Sequence, residues 1–275
     1  MMRLELCLFL AMIVLFLVSL TVGPADVPVG DSLRALFDQS YGPLTLVMQE
    51  IRLPRAVLAI IVGSGLGLAG AAMQGDLRNP LAEPGLIGVS ASAALGAVLA
   101  IFFGVAASAS LGLPLAALTG ALVGVFLVMT LAGPRGGSLT LILAGIAISA
   151  LAGALTSLGL NLSPNPFAAN EIIFWMMGSL ADRSMRHVWL ALPFVLIGVG
   201  VIATTARGLN ALTLGEDAAE TMGIDLGRLR LLLVFGTATI VGGTTAVAGA
   251  IGFVGLVVPH ILRPLVGASP SRLLW

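Results

Sequence analysis

Few side chains in this sequence are of the types that carry out acid–base, nucleophilic or metal chemistry. The 275 residues include two histidines, His187 and His260, and a single cysteine, Cys7. One cysteine excludes both an intramolecular disulfide and a cysteine-based metal cluster. The motifs HExxH, GxSxG and GxxxxGK(S/T) do not occur in the sequence, so no protease, hydrolase or nucleotide-binding loop is indicated. We predict that the chain is not an enzyme and holds no cofactor or metal.

His260 lies in the stretch GAIGFVGLVVPHILRPLVG, residues 249–267, where two prolines, the histidine and an arginine fall within six positions of an apolar run. This histidine could be a metal ligand or a proton relay, or it could stand at the polar end of a membrane helix. The sequence offers no second ligand for a metal. We favour a short, bent, closely packed helix whose Arg263 reaches water or lipid head groups.

The elements that hold these residues are predicted to be membrane helices. Hydrophobic residues make up 58% of the chain and charged residues 9%, with a mean hydropathy of +1.10. Soluble domains have about 25% charged residues. Thirteen arginines, with no lysine, balance thirteen acids, so the chain has no basic surface for nucleic acid. We predict an all-α polytopic protein surrounded by membrane lipid, with no nucleic-acid partner.

Hydropathy predicts about eight membrane helices, because about 20 apolar helical residues cross the hydrocarbon layer. We prefer an uncleaved first span to a signal peptide, since no small-residue cleavage site follows the first apolar run. The predicted spans are 5–23, 55–74, 84–104, 111–132, 139–160, 188–206, 231–250 and a short, interrupted one at 251–266.

The distribution of arginines predicts the orientation of the chain. With the amino terminus in the cytoplasm, seven arginines fall in inner segments and five in outer ones, and the inner connections are shorter and therefore count more heavily. The inner arginines are Arg3, Arg78, Arg135, Arg207, Arg228, Arg230 and Arg272, and the outer ones are Arg34, Arg52, Arg55, Arg183 and Arg186.

The segment GDLRNPLAEPGLIGVSASAALG, residues 75–96, interrupts the helical pattern between the second and third spans. Two prolines and a glycine prevent a continuous helix, and Asn79, Glu83 and Ser90 could satisfy the backbone groups left free. Irregular backbone at membrane depth is tolerated only where protein or a water-filled cavity covers it. The segment is either a pore mouth or gate, or an ordinary capped turn.

The stretch IRLPRAV, residues 51–57, places Arg52 and Arg55 three residues apart on one face at an outer mouth. Arginine presents a planar fork of donors that suits carboxylates. The two arginines therefore either bind an acidic partner or extend along the membrane interface to reach water.

Residues 209–230, LNALTLGEDAAETMGIDLGRLR, form an inner connection with the pattern of a short helix. Two acids fall in its first turn, and a glycine can close it in the left-handed conformation. A small apolar stripe lies between them, formed by Ala218, Ala219 and Met222. Acids on the polar side argue against an anionic lipid surface and favour a protein partner.

The outer stretch 165–189 places Phe174, Trp175 and Trp189 at interfacial depth. They are either interfacial anchors or part of a re-entrant helix that lines an outer vestibule.

The source of energy for transport is not visible in the chain. No carboxylate lies in the middle of a predicted span, where an ion-coupled transporter would need one, and there is no repeated filter or charged ring of the kind channels use. These observations favour a transporter subunit whose energy source is on another chain. An ion-coupled secondary transporter or a channel remains the alternative.

Taken in order, RLPR, QGDLRNPLAEPGLIGVS, FWMMGSL, LTLGEDAAETMG and GAIGFVGLVVPHILR resemble the FecCD family of ABC-transporter permeases, which import iron–siderophore complexes, haem and cobalamin. The resemblance runs from about residue 50 to the end of the chain. It implies a ten-helix permease fold, a second permease subunit that is either an identical copy or a paralogue, two cytoplasmic ATP-binding subunits and a periplasmic substrate-binding protein. It also implies the bacterial inner membrane as the location.

The resemblance assigns roles to individual residues. Arg52 and Arg55 match the motif whose arginines face the carboxylates of the binding protein, and Asn79 and Leu81 match the inner gate region. The segment that sits in a groove of the ATP-binding subunit is matched by Gly215, Glu216, Asp217, Ala218, Ala219, Met222 and Gly223.

The chain departs from the family pattern at its carboxyl end. We expect a single permease domain over residues 1–275 that lacks the last two helices, so that the sequence ending at Trp275 is either a fragment or a truncated product. A non-functional truncated permease is a further alternative to the importer subunit. The segment GASPSRLLW also lacks the Asp-His pair that the family usually has there. The EPGLIGVS and FWMMG blocks look somewhat like those of cobalamin permeases. We nevertheless place iron–siderophore chelates first, because they dominate the family, although nothing in the sequence separates them from haem or cobalamin.

Overall fold

The computed structural model describes residues 2–23, 27–105, 111–133, 137–163, 166–267 and 269–274. Arg135 and Trp275, which entered the sequence analysis, lie outside these ranges. Throughout the described ranges the regular structure is helical. The α-helices, in chain order, are α1 Met2–Thr21, α2 Val29–Arg34, α3 Pro43–Leu46, α4 Leu53–Asp76, α5 Val89–Phe102, α6 Gly112–Ala132, α7 Ser138–Asn161, α8 Pro166–Met177, α9 Met185–Thr204, α10 Ala206–Leu212, α11 Glu216–Thr221, α12 Leu226–Ala248, α13 Val254–Leu262 and α14 Pro270–Leu273.

Six helices of the described part are long and apolar enough to cross a membrane. One of them runs without interruption from Pro43 to Asp76, because a π-helical turn at Val47–Arg52 joins α3 to α4. The other five are α1, α6, α7, α9 and α12. The prediction of an all-α, multi-pass membrane protein is confirmed.

Two of the eight predicted spans are shorter than hydropathy suggested. Helix α5 has 14 residues and α13 has nine, which corresponds to about 21 Å and 14 Å of helix against about 30 Å of hydrocarbon. Backbone geometry makes both helices start later than predicted: Gly88 has φ +75° before α5, and Gly249 and Phe253 have φ +73° and +65° before α13. The spans predicted at 84–104 and 251–266 are therefore broken helices.

Helix α12 lies at the centre of the bundle. Every residue from Gly236 to Ala248 is buried, and the helix packs against α4, α5, α6 and α9. Helix α1 shows the opposite pattern, since most of its leucine, valine and phenylalanine side chains are exposed. This difference matches a protein whose inner helices contact protein and whose outer helix contacts lipid.

Helix α13 lies against the second half of α4 at backbone contact distance. A Cβ atom at Gly70 would collide with the backbone carbonyl of Gly255. Small residues allow such close approach between helices in lipid, where van der Waals packing replaces the hydrophobic effect as the driving force.

Candidate functional site

The bundle has two ends, which we name by one residue each. The Glu216 end contains the end of α4, residues 77–83, helix α11 and the start of α12. The Arg55 end contains the start of α4 and residues 178–184. The backbone N–H of Ser179 donates to the carbonyl of Ala248 at 2.7 Å, which places this loop beside the far end of α12.

Helix α11, at the Glu216 end, lies between two glycines that have conformations disfavoured for other residues. Gly215 has φ +108° and Gly223 has φ +83°. Ala219 is fully buried in the main hydrophobic core, Ala218 is half-buried, and Met222 is 53% exposed. The predicted apolar stripe is thus divided, because Ala219 anchors the helix to its own chain and the other two positions remain accessible.

A cluster of ion pairs connects α11 to the membrane helices. Glu216 Oε1 lies 2.8 Å from Nη2 of Arg230, on α12, and 3.4 Å from Nη2 of Arg78. Arg230 Nη2 also donates to Ser138 Oγ at 3.1 Å, and Arg230 Nε lies 3.9 Å from Asp76 Oδ1. One guanidinium therefore gathers the end of α4 and the starts of α7 and α11 around α12.

Asp76, the last residue of α4, is not among the residues that the sequence patterns single out. Its side chain is fully buried, and neither carboxylate oxygen has a hydrogen-bond partner among the described residues. The available signal was an acid directly after the second predicted span, a position where a solvated turn residue is ordinary. Only the packed structure shows that the carboxylate is buried and faces Arg230.

The two residues that match the gate region lie on the surface of the Glu216 end. Asn79 Oδ1 accepts a hydrogen bond from the backbone N–H of Leu81 at 2.9 Å, and the Leu81 side chain is 64% exposed. The neighbouring Arg78 has a left-handed backbone, with φ +48°. Asn79 thus satisfies a backbone group freed by the break, as predicted, while the gating role of both residues stays a prediction.

The breaks before α5 and α13 contact each other on an exposed face of the bundle. Glu83 Oε1 accepts a hydrogen bond from the backbone N–H of Phe253 at 2.9 Å, and Pro84 packs close to Gly255. A cavity of 180 Å³ lies between the two breaks, and Ser90 is among its lining residues. Glu83 also acts as predicted, since it pairs with a backbone group that a broken helix leaves free.

Gln74 ties α4 to the same two segments. Its Nε2 donates to the carbonyls of Ala82 and Leu256, each at 3.3 Å, and its Oε1 accepts from Arg263 Nη2 at 2.5 Å. The guanidinium of Arg263, predicted to reach water or head groups, donates from Nη2 to the buried amide of Gln74, and the residue is half-buried. His260 is exposed, and α13 is short, as predicted, with Pro259 inside it.

The two arginines of the RLPR motif do not share a face. Arg55 is exposed, whereas Arg52 is 6% exposed and its Nη1 donates to the carbonyls of Leu20 and Thr21, at 3.0 and 2.9 Å. These carbonyls end α1, where intrahelical partners are missing. The buried Arg52 guanidinium is not placed to meet a docking carboxylate, so Arg55 is the remaining candidate of this pair.

The aromatic residues of the outer stretch differ in their surroundings. Phe174 and Trp189 are 72% and 66% exposed, while Trp175 is 6% exposed and its backbone carbonyl lies against Gly249. Trp175 is therefore a core residue and not an interfacial anchor.

In the adjoining loop, burial lowers the pKa of the Arg183 guanidinium, and the neighbouring Asp182 carboxylate opposes that shift.

Nearly the whole chain is similar to known ABC transporter permeases. The ABC transporter permease YvrB of Bacillus subtilis is 36% identical over 94% of this chain and 76% of its own length. The vitamin B12 import system permease BtuC of Klebsiella pneumoniae is 37% identical, covering 97% of this chain and 78% of the relative.

The fold also has a solved counterpart. A metal-chelate-type ABC transporter in an inward-facing conformation superposes with a TM-score of 0.88 and 33% identity, over 100% of this chain and 85% of that one. The sequence matches the FecCD transport family over residues 11–275. The resemblance carried by the motifs is confirmed, and the chain belongs to the FecCD transport family.

Proposed function

We propose that this chain is the membrane-spanning subunit of an ATP-driven importer for metal chelates or cobalamin, and that it performs no bond chemistry itself. The observation that carries the proposal is the similarity of the whole chain to a metal-chelate-type ABC transporter, with a TM-score of 0.88. The 37% identity to a vitamin B12 permease supports the same class of bulky, metal-containing substrate.

In this proposal the Glu216 end and the amino terminus face the cytoplasm, and α11 docks in a groove of a separate ATP-binding subunit. The exposed positions Asp217 and Met222 supply acidic and apolar contact surface. Acidic groups on this surface would be repelled by anionic lipid, which favours a protein as the occupant. The Arg55 end faces the periplasm, on the outer side of a bacterial inner membrane. There Arg55 meets a carboxylate of the binding protein.

A second permease subunit completes the path. Irregular backbone lies between helices at residues 77–88 and 249–253, and the Glu83 carboxylate belongs to the first of these segments. Neither feature is tolerated against lipid tails, so the face that carries them needs cover from protein or from a water-filled path. An identical or related subunit across a two-fold axis supplies both kinds of cover.

Transport follows from a change in the relative stability of two states. ATP binding and hydrolysis on the partner displace α11, and the paired helices then alternate between outward-facing and inward-facing arrangements. The free energy that separates these arrangements comes from the ATP-binding subunit, because a ligand shifts an equilibrium only by its differential affinity for the two states.

The test is uptake into proteoliposomes that contain the permease, its ATP-binding subunit and its binding protein. Ferric siderophore, haem and cobalamin are offered separately, with ATP or with a non-hydrolysable analogue. We expect uptake of one of them with ATP only. Uptake by the permease alone under a proton or sodium gradient would overturn the proposal in favour of ion-coupled transport, and failure to stimulate any ATPase would indicate a non-functional chain.

A further inference from the structure

Arg230 lies between two carboxylates on different elements but forms a close ion pair with only one of them. Its Nη2 is 2.8 Å from Glu216 Oε1, whereas its Nε is 3.9 Å from Asp76 Oδ1. The Nε atom and both oxygens of Asp76 are buried and have no hydrogen-bond partner among the described residues. A donor and an acceptor that both lack a partner thus face each other about 1 Å beyond the length of a charge-assisted hydrogen bond.

This arrangement is unfavourable for Asp76. A buried charge is stable only when it is both paired and hydrogen-bonded, and Asp76 has a cation nearby without a hydrogen bond. Glu216 is in a different situation, since its side chain is 36% exposed and can be solvated if Arg230 leaves. The two carboxylates therefore compete for one guanidinium. Loss of that partner destabilises the buried Asp76 more than the partly exposed Glu216.

Glu216 and Asp76 lie on the two elements that must be coupled for transport, α11 and the end of α4. Glu216 begins α11, and Asp76 ends α4 directly before residues 77–83, which contain Asn79 and Leu81. Arg230 is in the second turn of α12, the central helix of the bundle. A move of Arg230 from Glu216 to Asp76 would release α11 from α12 and attach the end of α4 in its place.

We propose that Arg230 is a positioning residue with two arrangements, one paired with Glu216 and one paired with Asp76, and that displacement of α11 moves it from the first to the second. The structure shows the first arrangement. In the second arrangement, Nε of Arg230 donates to Asp76. Glu216, which Arg230 and Arg78 share in the first arrangement, has moved away from both arginines with α11. This inference rests on the proposed function, because it names the contact through which motion of α11 reaches the gate region.

The test compares two changes that each replace a carboxylate by its isosteric amide. The full chain carries Cys7→Ser and Leu81→Cys, so that the exposed position 81 reports on the Glu216 end through its rate of labelling by a membrane-impermeant maleimide in inside-out vesicles. Glu216→Gln weakens the first arrangement and Asp76→Asn weakens the second. We expect the two changes to shift the labelling rate in opposite directions, each by roughly threefold or more.

A matched control and a second variant make the result decisive. Glu220→Gln removes a charge from the same helix at an exposed position and should leave the rate unchanged. Asp76→Glu lengthens the buried side chain toward Arg230 and should shift the rate in the same direction as Glu216→Gln. Shifts of Glu216→Gln and Asp76→Asn in the same direction, or no shift in either, would overturn the proposal, because a purely structural role predicts those outcomes.

The labelling assay needs no ATP-binding subunit, so the two proposals fail separately. Uptake by the wild-type complex that does not require ATP would overturn the proposed function. Normal ATP-driven uptake combined with a failed labelling test would remove only the inference about Arg230. If both hold, Asp76→Asn should also reduce the substrate transported per ATP hydrolysed in the complete complex.

Discussion

The carboxylate of Glu83 accepts a hydrogen bond from the backbone N–H of Phe253 at 2.9 Å and so joins two helix breaks that are 170 residues apart in the sequence. Phe253 has a left-handed backbone, with φ +65°, and its side chain is 72% exposed. Such a conformation is uncommon for a bulky residue and persists when its surroundings hold it. The Glu83 contact is one of the interactions that hold it, because it uses the N–H at the start of α13.

Removal of the Glu83 carboxylate is expected to destabilise the fold. Glu83→Ala leaves the Phe253 N–H without its acceptor and should lower the free energy of unfolding by about 1–3 kcal/mol. Glu83→Gln keeps an acceptor oxygen and should lose less. Denaturant unfolding in detergent measures both, with the exposed Glu50→Ala as control. Equal effects of Glu83→Ala and Glu50→Ala would show that the contact contributes nothing.

Two glycines in α4 should respond oppositely to the same substitution. Gly70→Ala places a methyl group on the carbonyl of Gly255, whereas a methyl at Gly63 meets nothing within 4 Å. We expect Gly70→Ala to destabilise by about 1–3 kcal/mol or more through overpacking. Gly63→Ala should be neutral or stabilise by up to about 1 kcal/mol, because alanine favours helix interiors. A thermal unfolding series compares them, and similar melting temperatures for both variants would contradict the close contact between α4 and α13.

The two arginines of the RLPR motif should separate stability from docking. Arg52→Ala removes donors from the end of α1 and should cost about 2–3 kcal/mol of unfolding free energy. Arg55→Glu changes an exposed side chain and should leave stability within about 0.5 kcal/mol. Under the proposed function, Arg55→Glu also weakens binding of the substrate-binding protein, measured by its retention on permease proteoliposomes. Normal retention with Arg55→Glu would remove Arg55 from the docking surface.

Adjacent alanines in α11 should also differ. Ala218 is half-buried, and Ala218→Glu is expected to leave the permease folded while it abolishes ATP-driven uptake and spares docking of the binding protein. Ala219 is fully buried, so Ala219→Glu places an unpaired charge in the core and should prevent correct folding. The sequence pattern places both alanines in one apolar stripe and does not distinguish them. Size-exclusion profiles and uptake assays separate the two outcomes, and full uptake with Ala218→Glu would argue against α11 as the coupling element.

The sequence alone determined the fold class, the family and the approximate positions of the six long membrane helices. These features follow from local properties, since apolar length sets a membrane span and proline with glycine sets a break. The motif order from RLPR to PHILR identified the family without any tertiary information. Even the backbone-satisfying roles of Asn79 and Glu83 were predictable, because a broken helix must have its free groups paired within the protein.

The tertiary structure alone decided which polar side chains are buried and which partner each one has. Arg52 and Arg55 are three residues apart, yet one ends α1 from inside and the other is exposed. Asp76 stood just past a predicted span, and only the packing of α4 beside α12 buries it near Arg230. Burial and pairing depend on contacts between residues as distant as 76 and 230, and no local pattern encodes those contacts.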